Sequence, residues 1–142
     1  SYYCHNSYVA QILDLRVQNN EPIIDKVVCA VDCGIVVNPD AAKNMVEGGT
    51  IDGIGHALYS KISFEDGMPQ QSNYDTYRLI RHKEAPKSIE VYFIENGIDP
   101  TGLGEPPFPP VIGALANALY KATGKRFYDQ PYIARLQGEL KT

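Results

Sequence analysis

The order strand, strand, helix, strands, helix predicts an α+β domain: a two-layer sandwich of mostly antiparallel strands in hairpins, with two main helices at about 39–59 and 109–123. Three observations carry this. Residues 8–17 alternate apolar and polar and are followed by a β-branched run from Ile23 to Val31; Asn38-Pro39 reads as a helix start; and apolar residues from Ile112 to Tyr120 recur at helical spacing.

In the first hairpin, Val9, Ile12, Leu13, Leu15 and Val17 supply the apolar positions, and Asn19-Asn20-Glu21-Pro22 supplies the turn. Asn38-Pro39-Asp40 then combines an N-cap, a proline at the first helical position and an acid in the first turn. This first helix carries Gly48, Gly49, Gly53 and Gly55, each costing roughly 1 kcal/mol relative to alanine. The offset expected is close approach of a sheet, a neighbouring segment or a cofactor to the bare positions. Lys61–Phe64 and the residues after Glu65-Asp66-Gly67 predict a second hairpin, Ser88–Ile94 a further strand, and Gly124 the end of the second helix. The chain is expected to form a single domain over 1–142, with 132–142 as a polar tail.

Net charge is −4, and the basic residues are scattered apart from Arg78-Leu79-Ile80-Arg81-His82-Lys83, which reads as a solvated segment. That distribution argues against a nucleic-acid partner. No run approaches the roughly 18 apolar residues of a membrane span. Cys29 and Cys33 lie in an extended run where four residues span about 13 Å, beyond the ~7 Å limit for a disulfide, so buried thiols are expected. Neither CxxC pairs nor Cys/His clusters at zinc spacing occur, and no protein metal ligand is assigned.

The segment with the most chemical content is Gly102-Leu103-Gly104-Glu105-Pro106-Pro107-Phe108-Pro109-Pro110. Glycines admit a close neighbour, and a residue before proline is driven into an extended conformation, so Glu105 sits in a stiff segment suited to a general base. The competing reading is that Glu105 merely places negative charge at the start of the second helix, worth up to about 1 kcal/mol. Asp52 and His56, four apart, read as an ordinary helical pair. Asp32 reads as a cap for local backbone groups. His5 and His82 have no evident partner.

Four blocks occur here in the order in which they occur in molybdenum hydroxylase large subunits: Val28–Pro39 (VCAVDCGIVVNP), Val46–Tyr59 (VEGGTIDGIGHALY), Gly102–Pro107 (GLGEPP) and Ala116–Arg126 (ANALYKATGKR). From about Tyr8 to Pro131 the chain resembles the carboxy-terminal part of the molybdopterin-binding subunit of the xanthine dehydrogenase and aldehyde oxidase family. It looks most like the branch of isoquinoline 1-oxidoreductase β-subunits and membrane-associated aldehyde dehydrogenases.

The resemblance implies a molybdopterin-type molybdenum cofactor in the complete enzyme, not bound by this piece alone. It implies Glu105 as the catalytic base and Gly104 as a point of close backbone approach to the cofactor. Met45 stands where the family usually carries a glutamine that hydrogen-bonds the cofactor region, and a thioether cannot replace an amide donor. The implied reaction oxidises an aldehyde or N-heterocycle with water as the oxygen source. The implied partners are the rest of the molybdopterin-binding subunit and an iron–sulfur subunit or domain. The isolated piece is expected to be inactive. The alternative is a stand-alone, non-catalytic α+β binding or assembly module that has kept the fold.

Overall fold

A computed structural model of the chain describes residues 1–138. Strands β1 (Tyr2–Cys4), β2 (Ser7–Gln18), β3 (Glu21–Asp32) and β6 (Ile89–Phe93) form one sheet in the order β1-β2-β3-β6. The pairs β1/β2 and β2/β3 are antiparallel, and β6 runs parallel to β3. A parallel neighbour needs a long crossover. It contains helix α1 (Pro39–Tyr59) and the small hairpin β4 (Phe64–Glu65) and β5 (Met68–Pro69). Helices α2 (Phe108–Thr123) and α3 (Tyr132–Leu136) follow β6.

This is the α+β arrangement with the two main helices that the sequence predicts. The parallel edge strand β6 adds to it. So does β1, which pairs with β2 around a turn at His5-Asn6 that carries no glycine.

Alternation along β2 sets the layers. Ser7, Val9 and Gln11 are buried, while Tyr8, Ala10 and Ile12 face outward, with Ile12 69% exposed despite its apolar character. On β3 the buried set is Ile24, Val27, Cys29 and Val31. The odd step from Ile24 to Val27 comes from a register shift at Asp14/Leu15, which leaves Asp25 as the extra residue of a bulge. Arg16 and Lys87 both hydrogen-bond the Asp25 carboxylate and hold its pKa below the usual range.

Val46, Ile54 and Leu58 of α1 and Val111, Leu115 and Leu119 of α2 complete the core with the inner face of the sheet. Asn38 caps α1 by accepting from the Ala41 N–H at 3.0 Å, and Gly124 ends α2 at φ 72°. Cys29 and Cys33 are buried free thiols.

The glycines of α1 pack against neighbouring chain. A Cβ on Gly53 would lie 2.5 Å from Val111 Cγ1 and 2.7 Å from the Phe108 carbonyl oxygen, so α1 and α2 meet nearly backbone to backbone. A Cβ on Gly49 would touch Pro107, and one on Gly55 would collide with Ile80. Gly48 alone of this set meets nothing within 4 Å.

Two expectations change. Residues 132–136 of the anticipated tail form α3, with Tyr132 and Leu136 buried. The apolar spacing of Tyr132, Ile133 and Leu136 outweighs Arg135 within the segment and the polar Gln130 and Gln137 that flank it. Residues 139–142 lie outside the described residues. In the basic run, Arg81, His82 and Lys83 are exposed as expected, but Arg78 lies 4.2 Å from the Tyr59 ring centroid and Ile80 packs on Gly55.

Two stability predictions follow from this packing. Gly53→Ala should destabilise the chain by roughly 1–3 kcal/mol because backbone must move, whereas Gly48→Ala should stabilise it by about 0.5–1 kcal/mol through helix propensity. Urea unfolding of the two variants side by side checks both signs. Burial raises the Tyr59 phenol to about 12, so the unfolded chain loses this proton first as pH rises past the usual tyrosine value near 10. Stability should therefore fall between about pH 10 and 12 in the wild type. Tyr59→Phe should remove that component, as read by the difference in urea midpoint across this range.

Candidate functional site

The site is built where the β1–β2 turn meets the loop before α2. Two residues, His5 at φ 51° and Asn6 at φ 60°, make the turn. Both lie in the left-handed region required by the two-residue hairpin turn that matches strand twist. Asparagine and histidine enter that region more readily than bulkier residues do.

Hydrogen bonds tie this turn to a segment about a hundred residues away. The Gly102 N–H donates to the His5 carbonyl at 3.1 Å. The buried Ser7 hydroxyl lies 2.7 Å from Thr101 Oγ1 and also donates to the Gly102 carbonyl. Gly102 must lack a side chain, since a Cβ there would sit 2.5 Å from His5 Cβ. On the other flank, the Thr101 N–H donates to the Cys33 carbonyl at 2.9 Å and the Ile35 N–H to the Ile98 carbonyl at 3.0 Å. The loop is thus laced to the ends of both β2 and β3.

Beneath Glu105, Pro106 and Pro107 are fully buried. The Gln11 side-chain amide donates to the Pro107 carbonyl at 3.1 Å and to Thr50 Oγ1 at 3.0 Å. A carbonyl can only accept, so the Gln11 nitrogen must be the atom facing it. This one buried amide joins β2, α1 and the proline loop.

Glu105 projects outward, with its side chain 62% exposed. It does not cap α2: no side chain caps that helix, and the Glu105 backbone carbonyl accepts from the Phe108 N–H at 2.9 Å. Its carboxylate instead meets His5 Nε2 at 3.2 Å. An ionised carboxylate only accepts, so the ring N–H is the donor. Cys4 stands beside the pair, the ligand atoms of Cys4, His5 and Glu105 all lying within 4.8 Å of one another. Met45 on α1 is half exposed, and its Cε would be 3.7 Å from a Cβ placed on Gly104.

The structure therefore brings Met45, Gly104 and Glu105 onto one surface and adds Cys4 and His5. Asp52 and His56 form only a helical pair at 3.8 Å, with His56 edge-on to Phe108. Asp32 accepts from Asn96 Nδ2 at 2.6 Å as well as from the Gly34 N–H, so it ties a loop in addition to capping its own turn. A cleft of about 570 Å³ lies at the opposite end of the sheet, lined by Ile24, Tyr59, Arg78 and Lys83 among others, and is separate from Glu105.

Sequence reasoning missed Cys4, His5, Ser7 and Gln11. For the last two a signal was present: both occupy the buried parity of β2 alongside Val9, and a polar residue at a core position needs a specific partner.

Residues 2–86 match the family described as the molybdopterin cofactor-binding domain. Isoquinoline 1-oxidoreductase subunit beta of Brevundimonas diminuta is 30% identical over 128 residues, covering 89% of this chain and 16% of the relative. A membrane-bound aldehyde dehydrogenase of Gluconacetobacter polyoxogenes, whose name carries pyrroloquinoline-quinone, is 35% identical over 106 residues, covering 75% of this chain and 14% of the relative. The aldehyde oxidoreductase of Desulfovibrio gigas superposes with a TM-score of 0.76 at 24% identity over 88% of this chain and 14% of its own, a likeness of fold alone. The chain thus spans about a seventh to a sixth of the length of these relatives.

If Ser7 holds the loop as described, Ser7→Ala should cost about 1 kcal/mol. The Gly102 amide should also exchange its hydrogen faster than in the wild type, while Val27 in the sheet interior shows only the global change. Hydrogen-exchange NMR separates the local loosening from the general one.

Proposed function

Since the chain belongs to the molybdopterin cofactor-binding domain family of the molybdenum hydroxylases, we propose that it forms one wall of the molybdenum-cofactor cleft and supplies Glu105 as general base. The reaction is the oxidation of an aldehyde or an N-heterocycle with water as the oxygen source. One observation carries this reading. The Glu105 carboxylate stands exposed on a proline-stiffened loop and is oriented by His5, although the nearby helix start offers it a structural use that it does not take.

The residues present fit one wall of such a cleft. Gly104 has only the Met45 methyl near its bare α-carbon, and Gly48, on the same helix as Met45, has open space before it, so a large group can approach the backbone at both. Gly104 is proposed as the point of close approach. Met45 lies beside it and offers a polarisable apolar contact in place of an amide donor. The molybdenum cofactor, when bound, supplies the oxygen-transfer and electron-accepting chemistry.

The chain's own contribution is positional and protolytic. Glu105 accepts a proton at a carboxylate oxygen. His5 holds that carboxylate by donating a hydrogen bond. The buried Gln11 amide and the prolines keep the loop from yielding. A base fixed before reaction spares the entropy of positioning it during the reaction.

The remaining walls are proposed to come from the rest of the molybdopterin-binding subunit, and electrons to leave through an iron–sulfur partner. On this reading residues 1–142 form a single domain of that subunit and are inactive alone. A second reading, a non-catalytic module that keeps the fold, is favoured only by Met45.

In the intact protein, Glu105→Gln should retain cofactor loading and lower turnover by at least about a hundredfold, the scale of general-base catalysis. Molybdenum analysis beside steady-state kinetics checks the two halves separately. Full turnover in the variant would remove Glu105 from the reaction, and loss of molybdenum would make its role one of binding.

A further inference from the structure

Cys4, His5 and Glu105 present three different donor types to one point. A thiol from the end of β1, an imidazole from the turn and a carboxylate from the proline loop have their ligand atoms within 4.8 Å of one another. The His5 Nε2 to Glu105 Oε2 separation is 3.2 Å. A tetrahedral zinc ion with bonds of about 2.0–2.3 Å places its ligand atoms roughly 3.3–3.7 Å apart. The imidazole–carboxylate edge is already close to that size, and small side-chain rotations would bring in the sulfur.

The backbone around this point is fixed before any ion arrives. The His5 carbonyl is held by the Gly102 N–H, Ser7 clamps Thr101 and Gly102, and the left-handed turn at His5-Asn6 aims the ring across the bare α-carbon of Gly102. Preorganised donors on two segments a hundred residues apart are what a discrete site needs. A chance surface encounter of long side chains lacks that support.

Thiolate and imidazole together select zinc over magnesium or calcium, which prefer oxygen ligands. Three protein ligands leave a fourth position for water.

We propose that Cys4, His5 and Glu105 form a zinc(II) site. Binding displaces the thiol proton of Cys4 to solvent, moves the His5 ring proton from Nε2 to Nδ1, and replaces the His5–Glu105 hydrogen bond with two metal bonds. The binding does not depend on what Glu105 does in catalysis. One consequence does rest on the function proposed above: an occupied site takes the Glu105 carboxylate out of proton transfer, so zinc would inhibit turnover.

The test uses the intact native protein and zinc(II) alone as the probe. Equilibrium dialysis followed by zinc analysis gives the stoichiometry. Iodoacetamide labelling with peptide mapping reports on Cys4, the least buried of the three cysteines. One zinc per chain is expected, with labelling of Cys4 slowed at least tenfold at saturating zinc. Cys4→Ser, His5→Ala and Glu105→Gln should each lose the bound zinc in dialysis. The latter two should also restore Cys4 labelling in its presence.

Unslowed labelling of Cys4, or zinc retained at one per chain in His5→Ala and Glu105→Gln, would overturn the site. Because both readouts are taken without turnover, the proposal can fail while the general-base reading stands, and the reverse.

Discussion

The amide of Gln11 is the contact on which the arrangement of this molecule turns. It is buried in the middle of β2 and donates to the Pro107 carbonyl and the Thr50 hydroxyl, so a single side chain fastens the sheet, the first helix and the loop that carries Glu105. A buried carbonyl left without a donor costs about 1–3 kcal/mol, which ties the fold of the core to the placement of the loop. Around this node the packing is close: Gly49 lies against Pro107, and at Gly53 the approach of Phe108 and Val111 leaves no room for a side chain. Gly53, costly in a helix by propensity, is required because α2 comes that near.

That constraint explains why Glu105 is exposed on a backbone that is held in place. Its neighbours Pro106 and Pro107 are sealed into the core, and the residues before it are laced by backbone bonds to His5 and Cys33, so only the side chain is left outside. An exposed carboxylate is usually a mobile one. Here the backbone is restrained on both sides and the carboxylate finds an imidazole donor at 3.2 Å. The framework proposed to serve a general base also sets out the donors of the proposed metal site, since both require groups held at fixed separations.

Much of this was legible in the sequence. Both main helices announced their starts or stops through Asn38-Pro39 and Gly124, and the long hairpin through alternation and an asparagine turn. The proline loop stood out by composition alone, and the molybdenum-hydroxylase resemblance of the chain agrees with the family match over residues 2–86 and with the relatives at 30% and 35% identity. The roles of the α1 glycines could only be partly anticipated: close packing was expected, but Gly48 facing open space and Gly53 facing α2 differ only in three dimensions.

What the sequence hid were contacts between distant segments. His5 has no local feature that points to Glu105; the pairing follows from β1 folding back on β2 and from Gly102 reaching the turn. The parallel docking of β6 on β3 is likewise a product of the crossover, and α3 was obscured by the polar residues around three apolar ones. The proposed function makes this surface a wall of the cofactor cleft, with Glu105 at the reacting centre. The most direct measurement is a crystal structure of the intact, cofactor-loaded protein. The Glu105 carboxylate is expected to be the protein carboxylate nearest the molybdenum, with Gly104 and Met45 lining the same cleft; a molybdenum centre approached by a different carboxylate, with Glu105 facing solvent, would contradict it.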